Sequence, residues 1–320
     1  MHLVQDSVEW RPSLFGRSQM SLGVDHLLHN AELLLYEQEN ADAAEFLESI
    51  DTDRPFNSAR KQLLLGMACS ANGEVEKARA AWQAIYAEWD ISIYALAQLY
   101  LGDLAEEQDD LNLAIQYWQS IKLDWSESCY AQAQINLGEL EANRGNEDIA
   151  IAYWQSIQKD WDLRCYAKAL FNLGELEDQR HDQKAGAVYW SQIEKDWDDN
   201  SYAWAQLYLA DFAMNQGDEA QAENHWKNIG ADSSEWCYGQ ALYCLGKLEK
   251  SKANLKEAKQ YWEAITRELT DANYAWAQLQ LGILSANQGD LDKAKAYWQG
   301  IQQDWHETAY NWAQNYLKDL

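Results

Sequence analysis

Residues 130–165 read YAQAQINLGELEANRGNEDIAIAYWQSIQKDWDLRC, and two apolar stripes run through them. Tyr130, Ala133, Leu137 and Leu140 recur at intervals of 3, 4 and 3, the spacing that lines up one face of a helix. Ala150, Trp154, Ile157 and Trp161 follow at intervals of 4, 3 and 4 and draw a second such face. Between them, Arg144, Gly145 and Asn146 supply a turn, with Gly145 free to take the positive φ that ends a helix. The stretch predicts a helical hairpin.

The pattern repeats every 36 residues without slipping. Trp82, Trp118, Trp154, Trp190, Trp226, Trp262 and Trp298 form one column, and an isoleucine follows each at an offset of three. Tyrosine occupies the column from Tyr94 to Tyr310, and leucine the column from Leu101 to Leu317. Fixed columns at this period mark a solenoid, because a single hairpin cannot bury both stripes and must stack on its neighbours. The indoles are the main fasteners: each removes about 150–250 Å² from water, an upper bound of roughly 4–6 kcal/mol. Trp125, Trp161, Trp197 and Trp305 add a second ring, for which Ser233 and Leu269 substitute in two copies.

Counting outward from the fixed period, Phe46 stands where the column would place a tryptophan, so residues 22–52 read as a degenerate first hairpin. Hairpins are expected to begin near residues 22, 58, 94, 130, 166, 202, 238 and 274. The solenoid then covers 22–307, residues 308–320 form a capping helix, and residues 1–21, with Trp10, Pro12 and Phe15, fit no repeat. Pro12 and Pro55 are the only prolines, which suits an all-α chain.

With 52 acidic against 25 basic side chains, the net charge of −27 disfavours direct nucleic-acid or anionic-membrane binding. MHLVQDSVEW lacks the basic start and apolar stretch of a secretory signal, and no window is apolar enough to span a bilayer, so a cytoplasmic location is expected. Five cysteines without a CxxC pair indicate neither a disulfide framework nor a zinc site. Cys129, Cys165 and Cys237 share a column with Ser201, Asn273 and Ala309, which asks only for a small side chain.

The run Asn287-Gln288-Gly289-Asp290-Leu291-Asp292-Lys293-Ala294-Lys295-Ala296-Tyr297-Trp298 resembles the turn and second helix of a tetratricopeptide repeat, as does Ala114-Ile115-Gln116-Tyr117-Trp118. The Leu-Gly signature of its first helix recurs at Leu101-Gly102, Leu137-Gly138, Leu173-Gly174, Leu245-Gly246 and Leu281-Gly282. The resemblance covers about residues 58–320. It implies an all-α, right-handed α-solenoid of about eight antiparallel helix pairs plus the capping helix. The 36-residue period exceeds the family's usual length by two, which fall in the turn between hairpins, and Gln62, Gln98, Gln134, Gln206, Gln278 and Gln314 replace an early aromatic. Sel1-like repeats share the Leu-Gly and Ala-Trp features but carry a longer inter-helix loop, and rank second.

The resemblance implies that a peptide or partner protein binds the concave side, lined by the first helices. Candidate contacts are then the first-helix columns that packing does not dictate. One reads Leu96, Gln132, Lys168, Trp204, Gln240, Trp276 and Trp312, whose three indoles are either anchors for a partner or padding between helices. A second contains Asp103, Glu139, Glu175 and Asp211, a carboxylate row that suits a basic ligand or, more simply, a solvated face. Asn143, Asn215 and Asn287 recur before the turn and either hold a peptide backbone or serve the helix ends. The family's carboxylate-clamp members grip an acidic peptide terminus with Lys and Asn, which this acidic row does not favour.

Chemistry is absent from the pattern: there is no phosphate loop, no nucleophile elbow and no HExxH helix. Asp25, His26, His29 and Glu32 could align on one helix face, but polar residues on an atypical first helix ordinarily face solvent. Acidic pairs such as Asp109-Asp110 and Asp198-Asp199 suit helix caps. The expectation is a non-enzymatic protein-binding scaffold without cofactor or metal. The alternative is an acidic inhibitor or immunity-type protein that blocks a basic target, such as a nuclease or DNA-binding protein, by charge mimicry.

Overall fold

Two kinds of residue set the helix boundaries. Asp90 accepts hydrogen bonds from the backbone N–H groups of Ser92 and Ile93, both at 2.9 Å, and so opens a helix four residues ahead of Tyr94. Ser126, Asp162 and Asp198 do the same in later copies. Each satisfies a donor that would otherwise be left without a partner at a helix start. Asp110, Asp182, Asp218 and Asp290 cap the second helices in the same way. The first helices therefore begin one turn before the tyrosine column, and several of the acidic pairs in the turns are caps.

In the computed structural model, which describes residues 22–52 and 54–320, the elements alternate as first and second helices of successive hairpins. They are α1 (Leu22–Tyr36) with α2 (Asn40–Ser49), α3 (Pro55–Ala71) with α4 (Val75–Gln83), α5 (Ile91–Glu107) with α6 (Leu111–Ser120), and α7 (Glu127–Asn143) with α8 (Glu147–Ser156). Next come α9 (Leu163–Gln179) with α10 (Gln183–Trp190), α11 (Asp199–Asn215) with α12 (Glu219–Lys227), α13 (Glu235–Ser251) with α14 (Leu255–Glu263), and α15 (Asp271–Asn287) with α16 (Leu291–Gln299). A lone first helix, α17 (Glu307–Lys318), follows. No strand occurs among the described residues, and the expectation for residues 1–21 lies outside them. The chain divides into two compact units, one ending at Tyr166 and the other Ala167–Leu320, each a stack of hairpins of the α-solenoid class.

The tryptophan column lies inside this stack: all seven indoles are at most 4% exposed. In six hairpins the second helix lays its indole on the glycine of its own first helix. A Cβ built on Gly66, Gly102, Gly138, Gly174, Gly246 or Gly282 would fall inside van der Waals contact with that ring. Four of the indoles donate to a first-helix carbonyl: Trp82 to Leu63, Trp190 to Phe171, Trp262 to Tyr243 and Trp298 to Leu279, at 3.2–3.3 Å. Trp118 donates to the Asp103 carboxylate at 3.0 Å instead. The isoleucine column beside them is equally buried. Between hairpins, Tyr94 meets Trp125, Tyr130 meets Trp161 and Tyr274 meets Trp305 edge-on at 5.5–5.6 Å, an arrangement favoured by the ring quadrupoles.

Within each unit the first helices pack directly on one another, α3 on α5 on α7 and α11 on α13 on α15 on α17. Successive second helices meet through long side chains, as where Gln83 donates to the Tyr117 hydroxyl at 3.1 Å. In each unit the first helices thus form one layer and the second helices the other. The degenerate first hairpin has its own anchor: Glu32, 1% exposed, accepts from Nε of Arg60 on α3 at 2.8 Å.

Two substitutions follow from this packing. Gly282→Ala should destabilise the second unit by about 1–3 kcal/mol, the usual cost of forcing a methyl into a filled core, read as a lower midpoint in urea unfolding. Ala253 ends α13 at φ 64°, the left-handed region that Gly73, Gly145, Gly217 and Gly289 occupy in alternate hairpins. Ala253→Gly should therefore raise stability by about 1 kcal/mol in the same assay, since a side chain there costs roughly 1–2 kcal/mol.

Candidate binding face on the first helices

Within each unit the candidate columns fall on one face of the first helices, called here the stripe. On α11, Trp204, Asp211 and Asn215 are separated by seven and then four residues, which places them on one helical face, together with Tyr208. The same register selects Asp103 on α5, Glu139 and Asn143 on α7, Lys168 and Glu175 on α9, Trp276 and Asn287 on α15, and Trp312 on α17. Contacts between neighbouring first helices run along this stripe. Gln132 of α7 accepts from Arg164 of α9 at 3.4 Å, and Asn136 donates to Asp103 at 2.8 Å.

The carboxylates are engaged by the fold. Asp103 receives both Asn136 and the Trp118 indole, so it is part of the hairpin interlock. Glu175 accepts from the Tyr208 hydroxyl at 2.9 Å. Burial, and after it the neighbouring Glu175, drive the Tyr208 phenol well above its ordinary range. Asp211 keeps an exposed side chain, yet the packed helices around it raise its carboxyl, with Lys247 opposing and Asp178 adding to the rise. Asn143, Asn215 and Asn287 are the last residues of α7, α11 and α15, exposed at the hairpin tips, and Asn215 donates to Gln183 at 3.0 Å.

The aromatic members differ in exposure. Trp204 is half-buried and stacks on Trp236 of α13, with centroids 4.7 Å apart and planes at 18°. Trp276 lies 6.4 Å from Tyr243 and 5.1 Å from the His306 ring. Trp312 is 54% exposed, with Tyr316 6.3 Å away. Sequence reasoning missed Trp236 and Tyr243. Trp236 stands in a column that otherwise reads Ser92, Ser128, Arg164, Asn200, Ala272 and Thr308, so only its position one turn before Gln240 on the stripe could have drawn notice.

Among the described residues no group of His, Cys, Asp and Glu could hold a metal ion. In the Asp25, His26, His29 and Glu32 cluster, Glu32 is committed to Arg60, and His29 lies 3.4 Å from the same carboxylate. No described helix is long and apolar enough to cross a membrane.

Four of the five cysteines are buried, and Cys244 on the stripe is half-buried, its thiol pushed up to about 11 by burial and then by Asp211. At pH 8, native protein should react with iodoacetamide slowly at Cys244 and not measurably at Cys69, Cys129, Cys165 or Cys237, with all five labelled in denaturant; mass spectrometry reads the sites. Rapid native labelling of the buried four would contradict this packing.

Residues 276–305 match the family model described as tetratricopeptide repeat. Among solved structures, the chain is similar to the apo form of the quorum sensor NprR from B. thuringiensis, with 14% identity over 87% of this chain and 86% of that one and a TM-score of 0.50. It is also similar to the C-terminal part of a TPR repeat-containing protein from Cytophaga hutchinsonii, with 14% identity, 89% and 98% coverage and a TM-score of 0.46. A tetratricopeptide repeat protein from Parabacteroides merdae aligns at 14% identity, 76% and 91% coverage and a TM-score of 0.46. No curated protein matches the sequence.

Proposed function

We infer that this tetratricopeptide-repeat chain is a scaffold that binds another protein, and that the first-helix face of its second unit is where it does so. The observation that carries the reading is the set of half-exposed indoles at positions the repeat does not dictate. Trp204, Trp276 and Trp312 share their column with Leu96, Gln132, Lys168 and Gln240, so the repeat does not dictate an indole there, although Trp204 and Trp276 also touch the next hairpin. Aromatic side chains that packing does not require, on a face open to solvent, are the residues that dominate binding energy at protein interfaces.

The engaged state of the carboxylates argues about the partner. Asp103 and Glu175 already accept hydrogen bonds from within the fold. The row does not present a line of unopposed charge to a basic target, and charge mimicry draws no support from it.

Replacing Trp204, Trp276 and Trp312 together by alanine should abolish capture of partner proteins from lysate of the native host, while the far-ultraviolet circular dichroism stays that of a helical protein. Undiminished capture by the triple variant would refute the assignment of this face.

A further inference from the structure

The turn after each second helix ends on a column that reads Trp89, Trp125, Trp161, Trp197, Ser233, Leu269 and Trp305. In three hairpins the conserved tyrosine of the first helix meets this indole edge-on: Tyr94 with Trp125, Tyr130 with Trp161 and Tyr274 with Trp305. In the last of these a cation completes the setting. The Arg267 guanidinium lies 4.4 Å from the centroid of the Trp305 ring, and its Nε donates to Asp271 at 3.0 Å.

Two periods earlier the same four positions hold Lys195, Asp199, Tyr202 and Ser233, all in the second unit. The cation, the carboxylate and the phenol are kept, and only the indole is replaced, by a side chain that offers a small fraction of its area. Lys195 and Tyr202 thus flank a notch at the position where other hairpins place their largest side chain.

The surrounding side chains differ accordingly. Lys195 stands 3.8 Å from Asp199, too far for a hydrogen bond, and donates instead to Asp232 of the following turn at 2.8 Å. Asp232 is folded over that turn, since a Cβ on Gly230 would strike its carboxylate. Both members of this pair are exposed, and an exposed pair contributes little to stability. Two buried oxygens have no hydrogen-bond partner among the described residues: Oδ1 of Asp199, and Oγ of Ser233, a residue only 8% exposed. Tyr202 is half-buried, and burial raises its phenol, with Lys195 opposing and Asp199 adding to the rise. The cation, the carboxylate and the phenol therefore lie within electrostatic reach of one another.

We propose that the notch bounded by Lys195, Asp199, Tyr202 and Ser233 takes a tryptophan side chain of a partner protein. The chain itself identifies the occupant: at the corresponding position of three other hairpins it is an indole, met by the same tyrosine. On binding, Lys195 exchanges Asp232 for the ring face and for Asp199, the arrangement that Arg267 has with Trp305 and Asp271. That move gives the buried Asp199 oxygen a donor, and tryptophan is the side chain that a cation over a ring favours most. The notch is separate from the stripe and from its reading as the protein-binding face. Tyr202 is two residues from Trp204 on α11, which turns the two side chains to opposite sides of the helix.

The probe is N-acetyl-5-fluorotryptophan amide, titrated with the full chain and followed by 19F NMR, with N-acetyl-leucine amide as a competitor. The tryptophan amide should bind saturably, and the leucine amide should not displace it. Ser233→Trp, which supplies the chain's own indole, should weaken the probe at least about tenfold, as loss of an interfacial anchor site does, and should raise the midpoint of urea unfolding. Lys195→Ala should weaken it about two- to fivefold, the range of a cation over an exposed ring, and Trp312→Ala should leave it unchanged. If Ser233→Trp loses helicity, Ser233→Leu decides by the same binding readout, because the column already holds a leucine at Leu269. Absence of saturable binding, binding untouched when position 233 is filled, or a lower urea midpoint in a folded Ser233→Trp would overturn the proposal. So would binding lost in Trp312→Ala and kept in Ser233→Trp, which would move the ring to the first-helix face. Self-association of the wild-type chain that Ser233→Trp abolishes would also overturn it, by assigning the notch to a second copy.

Discussion

The structure depends on one steric fit: in six hairpins a tryptophan of the second helix lies where a first-helix glycine has no side chain. With a Cβ in place the ring has to shift, as beside Ala210, where Trp226 stays buried but its indole N–H has no hydrogen-bond partner among the described residues. Six hairpins carry glycine at this position, and Ala210 takes its place beside Trp226. The fit does two things at once. It buries the largest apolar side chain available, and in four hairpins it brings the indole N–H within reach of a first-helix carbonyl. A buried donor is thereby satisfied by backbone that its own hairpin supplies.

The indoles settle the contact between the two helices of a hairpin, and some members of the first-helix stripe reach them: Asp103 accepts from Trp118, while Tyr208 and Tyr316 stack on Trp190 and Trp298. The stripe also touches the next first helix, and these contacts are of a different kind: Gln132 with Arg164, Asp103 with Asn136, Trp204 with Trp236. These are polar or stacked, and they vary from copy to copy. A layer whose one face is held constant by the tryptophan–glycine fit, and whose other face varies, is a physical basis for recognition that can differ from one such chain to another.

Much of this was legible in the sequence. The 36-residue period, the tryptophan and isoleucine columns and the glycine turns state the hairpins and their stacking directly, because every copy must satisfy the same packing. Helix starts were less legible: the tyrosine column is the eye-catching mark, but Asp90, Ser126 and Asp198 begin each helix one turn earlier. In alternate hairpins the turn after the first helix passes through Gln38, Asp109, His181 or Ala253 at positive φ, where no residue type announces the conformation. The stripe itself was half legible. Its columns could be read as variable, but that Asp103 turns toward the Trp118 indole, and that Trp236 closes on Trp204, depends on side-chain directions across helices far apart in the chain.

The most direct measurement is hydrogen exchange of the indole N–H groups, resolved by NMR after 15N labelling of tryptophan. Trp82, Trp118, Trp190, Trp262 and Trp298, buried and hydrogen-bonded, should exchange orders of magnitude more slowly than Trp236 and Trp312, which reach solvent. Equally fast exchange across all of these indoles would mean that the column does not lie between the helices, and would contradict the account at its foundation.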